Sequence, residues 1–162
     1  MYRKLISKNG FTLVELLVVI AILGILVSIA LVAFRNSQGR GRDAQRKSDL
    51  KQIASSVELY YSDYGRYPDD SGGLIQGCSG NPCAWGSGSF TDGKTIYFKV
   101  MPKDPSSYSY FYRVPDPPAN QKFQLFAYLE NTEDQSLIST FYSCGTKTCN
   151  FSITSPNTTP GE

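Results

Sequence analysis

The chain of 162 residues contains no histidine, which removes imidazole-based triads and histidine-ligated metal sites together. Nor does it offer a convincing acid pair, so no catalytic constellation assembles and an enzyme is not expected. The formal net charge is only +2, with Arg3, Lys4 and Lys8 in the first ten residues and the remaining side chains summing to −1. Nucleic acid is therefore not an expected partner, because bulk binding needs a basic surface. Charge is scarcest between Lys8 and Arg35, where Glu15 is the only charged side chain.

What fills that gap is apolar. Residues 11–34 form a run of 24 residues, which as a helix spans about 36 Å against a hydrocarbon core of ~30 Å. A secretory signal has an apolar region of only about 7–15 residues, so the run reads as a membrane-length helix. A carboxylate inside such a span costs roughly 2.5–3.5 kcal/mol, which makes Glu15 a functional residue in need of a cation at its own depth. Cutting the chain between Gly10 and Phe11 would create one, a new α-amino group.

Gly10-Phe11-Thr12-Leu13-Val14-Glu15 ahead of an apolar helix resembles the N-terminus of type IV pilins and of type II secretion pseudopilins. The resemblance implies that residues 1–10 are a leader removed after Gly10 by a membrane-embedded prepilin peptidase. It implies further that Phe11 is methylated, and that Glu15 pairs with a neighbour's new N-terminal amine as helices bundle into a filament. Expected partners are other pilin subunits, the peptidase, the inner-membrane assembly machinery and, before assembly, membrane lipid. Tyr67-Pro68 and Met101-Pro-Lys-Asp-Pro105 resemble the major pseudopilin of type II secretion. Two features depart from it. Val32 stands where many members have proline, and the Gly/Asp-rich calcium loop expected near the C-terminus is missing. No cofactor is expected; the alternative is calcium on Glu130, Glu133 and Asp134, since that ion takes six to eight oxygens.

Counting Lys and Arg does not settle orientation, because three cations precede the span and Arg35, Arg40, Arg42, Arg46 and Lys47 follow it. The cysteines do. Cys78/Cys83 and Cys144/Cys149 are two C-x4-C pairs, and an even number in an exported domain reads as disulfides. Three connectivities are open; the two local bridges are favoured over them and over a zinc site. The expected location is the inner membrane, single-pass with the C-terminal domain extracytoplasmic, followed by a periplasmic or cell-surface filament.

Residues 35–68 read as an amphipathic continuation of the helix. Gly39 and Gly41 each cost about 1 kcal/mol there and predict a bend or local melting. Leu50, Ile53, Ala54, Val57, Tyr60, Tyr61 and Tyr64 recur at three- and four-residue spacing and predict one buried face. The basic stretch 40–47 reads as a solvated, lipid-proximal or filament-packing face, in preference to a DNA contact. Residues 71–94 are Gly/Ser-rich and predict a surface loop pinned by the first cysteine pair, with Trp85 packed on the bridge. Alternating runs at 108–113 and 123–129, separated by Pro115-Asp-Pro-Pro118-Ala-Asn120, predict an antiparallel hairpin. Residues 137–142 are expected as a third strand, 96–100 as a short element and 155–162 as a flexible tail. The fold class is α+β: a long N-terminal helix packed on a small antiparallel sheet, with the head at 69–154. The competing function is a membrane-tethered binding domain on an ordinary anchor.

Overall fold

The computed structural model describes residues 11–161; Gly10 and the rest of the expected leader lie outside them. A single long helix, α1 (Leu13–Tyr64), comes first and short strands follow. The chain divides into two compact units between Gln38 and Gly39. In the first unit α1 is almost wholly apolar. Each large apolar side chain described from Leu13 to Phe34 is exposed, by 47–79%.

The second unit is the head. It contains α1 from Gly39 onward and the strands β1 (Asp70–Ser71), β2 (Leu74–Cys78), β3 (Asn81–Cys83), β4 (Phe90–Thr91) and β5 (Ile96–Phe98). After these come β6 (Phe111–Arg113), β7 (Gln124–Ala127), β8 (Ser143–Cys144), β9 (Lys147–Thr148) and β10 (Phe151–Thr154). The first five make one sheet in the order β1-β2-β4-β5, with β3 also paired to β2. Its β2–β4 contact, Cys78 opposite Thr91, is parallel, so this sheet is mixed. The second sheet runs β10-β7-β6 and is antiparallel throughout, with Tyr112 opposite Leu125 and Leu125 opposite Ile153. β8 and β9 form a separate hairpin.

The expected helix stripe becomes the core. Leu50, Ile53 and Val57 are fully buried in one cluster with Ile75, Phe90, Tyr112, Phe123 and Leu125, and Ala54, Tyr60 and Tyr61 pack on its margin. Tyr64 leaves the stripe: it is half exposed, stacks on Tyr60 at 4.5 Å and donates its hydroxyl to Asp92. The helix stops at Tyr64, ahead of the expected boundary at 68. Gly65 takes φ +68° and returns its N–H to the Tyr61 carbonyl at 2.7 Å, a left-handed cap that glycine adopts without a Cβ clash.

Four sequence expectations are corrected. α1 does not melt at Gly39 or Gly41, because both sites are helical in the structure. Residues 71–94 are not a plain surface loop but carry four short strands, and two of their glycines serve packing. A Cβ on Gly77 would stand 2.6 Å from the Phe90 ring, and one on Gly73 2.5 Å from Phe111. The third strand against β7 is β10 at 151–154, while 137–142 carries no strand. Ile138 and Tyr142 instead pack around the second disulfide, against buried Cys144 and Cys149, while Leu137 joins the main core. The tail is held rather than loose: Ser155 donates its N–H to the Phe123 carbonyl at 3.1 Å, and Asn157 donates its side-chain amide to the Gln121 carbonyl at 2.9 Å. Continuing past β10 carries these residues along the end of the sheet, where unpaired carbonyls await donors.

Two alanine substitutions should therefore shift stability in opposite directions in urea unfolding of the full chain. Gly77→Ala overpacks against a buried ring and should cost about 1–3 kcal/mol. Gly41→Ala sits on helix with nothing within 4 Å of the new methyl and should gain up to ~1 kcal/mol.

Candidate assembly site

The head of α1 closes on itself. Thr12 is the residue before the helix, and Glu15 is its third helical residue. The Glu15 N–H reaches the Thr12 hydroxyl at 3.3 Å, while the Thr12 N–H and hydroxyl both donate to Glu15 Oε2 at 2.8 Å. This reciprocal capping box satisfies donors that a helix start otherwise leaves unpaired. It also fixes the carboxylate beside the helix N-terminus, where the backbone dipole favours negative charge. Among the described residues, Glu15 Oε1 has no partner. Phe11, just ahead of the cap, is 85% exposed.

In the head, the basic stretch after the span turns inward. Arg46 is fully buried, the largest side chain in the head to be so. Its Nε donates to Asp104 Oδ2 at 2.7 Å and Nη2 donates to Asp104 Oδ1 at 3.0 Å, a bidentate pair. Nη1 serves both Asp43 and Glu130 at 2.8 Å, and the guanidinium lies 5.2 Å from the Tyr108 ring centre. Asp43 in turn accepts the Glu130 and Asn131 N–H groups at 2.9 and 2.8 Å. Arg42 adds a second guanidinium on Glu130, and Lys47 reaches Asp134 at 2.6 Å. Helix, 101–105 segment and 130–136 turn are thereby tied at one point.

Burial opposes charge here and the pairing outweighs it. Desolvation alone would lower the Arg46 guanidinium, yet hydrogen bonds to Asp104, Glu130 and Asp43 hold it above its ordinary value. Desolvation would likewise raise Asp104, and its bonds to Arg46 and Ser106 hold it below the usual range. The Arg42 hydrogen bond lowers Glu130, and the Lys47 bond brings Asp134 down to about 2. Asp49 goes the other way: burial raises it, although it accepts the Tyr110 hydroxyl at 2.6 Å.

The cysteines form the two local bridges, Cys78–Cys83 and Cys144–Cys149, each with Cα atoms 5.1 Å apart. Trp85 joins the cluster that holds Cys83 and meets Tyr110 edge-on at 5.7 Å. Glu15 lies in the first unit and the two bridges in the head.

Residues 6–31 match the family model for the prokaryotic N-terminal methylation motif, and residues 33–136 match that for type II secretion system protein G. The chain belongs to the protein G family of type II secretion systems. Type II secretion system core protein G of Pseudomonas aeruginosa is 33% identical over 114 residues, covering 67% of this chain and 75% of that protein. The Aeromonas hydrophila core protein G is 33% identical over 98 residues, covering 60% and 67%. Type IV major pilin PilA of Myxococcus xanthus is 40% identical over 62 residues, which is 38% of this chain and 28% of that pilin. No solved structure matches.

A protein G family member is a structural subunit of pilin class that assembles with its own kind and is not an enzyme. Within that class, two further residues matter that were not singled out from the sequence. Thr12 was legible, because T-x-x-E ahead of an apolar run is a capping signature. Arg46 was not, because its burial depends on Asp104 and Glu130, distant in sequence. The reading of 40–47 as a solvated or lipid-facing surface is corrected for Arg46, which is enclosed, and for Arg42 and Lys47, which are paired to head carboxylates.

Arg46→Met leaves buried carboxylates unpaired and should destabilise the head by about 3–5 kcal/mol in chemical denaturation. The pH dependence follows from the folded-state shifts. Asp104, Glu130 and Asp134 are lowered, so their stabilisation is present above the unfolded carboxyl values near roughly 4 and lost as pH falls through the folded ones. Raised Asp49 contributes in the opposite sense, gaining stability as pH falls. Asp92, held low by the Tyr64 hydroxyl, joins the lowered set; with four groups against one, the thermal midpoint should drop between about pH 4 and pH 2, and Asp104→Asn should flatten that drop.

Proposed function

We propose that this chain is a pseudopilin of a type II secretion filament, made as a precursor and built into a fibre through α1. The observation that carries the reading is an apolar helix whose described large apolar side chains from Leu13 to Phe34 are exposed, headed by one carboxylate. Such a surface needs lipid or copies of itself, and the sequence supplies length for both.

In the precursor, α1 spans the inner membrane with residues 1–10 on the cytoplasmic side and the head outside. Prepilin peptidase cuts after Gly10, Phe11 becomes the methylated N-terminus, and the assembly machinery draws the helix from lipid into a bundle. The capping box gives Glu15 a division of labour: Oε2 holds its own helix start, and Oε1 is left to receive the neighbour's Phe11 ammonium. In the low dielectric of a helix bundle an unpaired charge is costly, so only the axial step that joins amine and carboxylate is stable. The protein G match over 33–136 favours a secretion pseudopilus over a surface pilus, since the pilin similarity covers little of the pilin's own length.

Mass spectrometry of the natural product should find an N-terminal methyl-Phe11. An intact leader would instead favour the membrane-tethered binding domain. Glu15→Ala should leave cleavage and head folding unchanged while reducing fibre formation at least ~10-fold, as expected for loss of a buried pairing of several kcal/mol. Fibres at wild-type yield from that variant would overturn the pairing.

A further inference from the structure

The protein G resemblance implies a calcium-bound loop in the head, and the acidic turn at 130–136 is where this chain has carboxylates to offer. The donor set does not fit. Calcium needs six to eight oxygens free to turn toward it, and here the oxygens are engaged. Glu130 Oε1 takes Arg42 Nε and Arg46 Nη1, and its Oε2 takes Arg42 Nη2. Asp134 Oδ2 takes Lys47 Nζ, while Oδ1 accepts the Ser136 N–H at 2.9 Å. Asn131 Oδ1 accepts the Glu133 N–H at 3.3 Å, and both oxygens of Asp43 are used on Arg46 and the turn's backbone. Only Glu133 is loosely held, 3.9 Å from Arg40 and largely in solvent. Among the described residues, no group of three or more acidic, cysteine or histidine side chains is arranged to hold a metal ion.

The surrounding charge argues in the same direction. A cleft of about 270 Å³ lies between helix and turn, and Arg40 and Lys47 stand on its wall beside Asp43 and Asp134. A dication entering there would meet two cationic side chains and compete with two buried or half-buried guanidiniums for Glu130. The turn also closes without it: Asp134 N–H donates to the Asn131 carbonyl at 3.3 Å and Leu137 N–H to the Asp134 carbonyl at 3.2 Å.

We propose that the cations of α1 stand in for a divalent metal, fastening the turn at 130–136 to the helix so that this head folds independently of calcium. Arg42 and Arg46 hold the start of the turn through Glu130, and Lys47 holds its middle through Asp134. Arg42 and Arg46 stand four residues apart on one face of the helix, and Lys47, next to Arg46, reaches the turn from beside that face. This inference does not depend on the filament reading, since it concerns the head alone.

The test is thermal unfolding of the full detergent-solubilised chain, in chelator and in millimolar calcium, for the wild type and for Lys47→Met. The wild-type midpoint should agree within about 1 °C in the two conditions. A midpoint that falls in chelator and returns with calcium would overturn the proposal. Lys47→Met should lower the midpoint by roughly 2–5 °C in both conditions and speed amide exchange at 133–137. An unchanged midpoint with unchanged exchange would show that the ammonium does not fasten the turn, and would equally overturn it.

Discussion

One enclosed guanidinium organises the head. Arg46 issues from the helix face and is met by carboxylates from the helix itself, the 101–105 segment and the 130–136 turn. Removing a cation of this kind from water is costly, and only a full set of hydrogen bonds repays it. The three segments must therefore arrive together, and with them the register of the chain on either side. Met101 is buried next to this point, with its N–H on the Gly88 carbonyl at 2.7 Å, so the glycine-rich sheet is tied in as well.

The first unit presents the opposite case. Its helix is capped at the start, yet its described large apolar side chains are exposed. A globular protein seldom leaves such a continuous apolar surface uncovered unless something else is meant to cover it. Family membership supplies the class of partner, other subunits of pilin type. The chain is thus a folded head and an unfinished helix, and the second becomes complete only by association.

The helix and its stripe were legible because they rest on local rules: apolar length, three- and four-residue spacing, and a glycine to stop. The hairpin of β6 and β7 was legible for the same reason, two alternating runs about a proline-rich turn. Other features failed where distant residues decide. The stretch 71–94 looks like loop by composition, but Gly73 and Gly77 are small because aromatic rings from β6 and β4 lie over them. β10 was passed over in favour of 137–142, since strand choice depends on which segment can reach β7. Arg46 looked like one of several surface cations, because nothing within reach in sequence announces its burial.

Sequence alone therefore determined the membrane-length helix, the isolated Glu15 at its head and the α+β class, and it favoured the local cysteine pairs. Each follows from spacing along the chain, where neighbours are guaranteed by covalent bonds. Only the tertiary structure decided which cations face inward, which glycines are packing sites and which strand completes the second sheet. These choices depend on burial and on partners brought close by folding, and a charge changes its meaning once water is removed from around it.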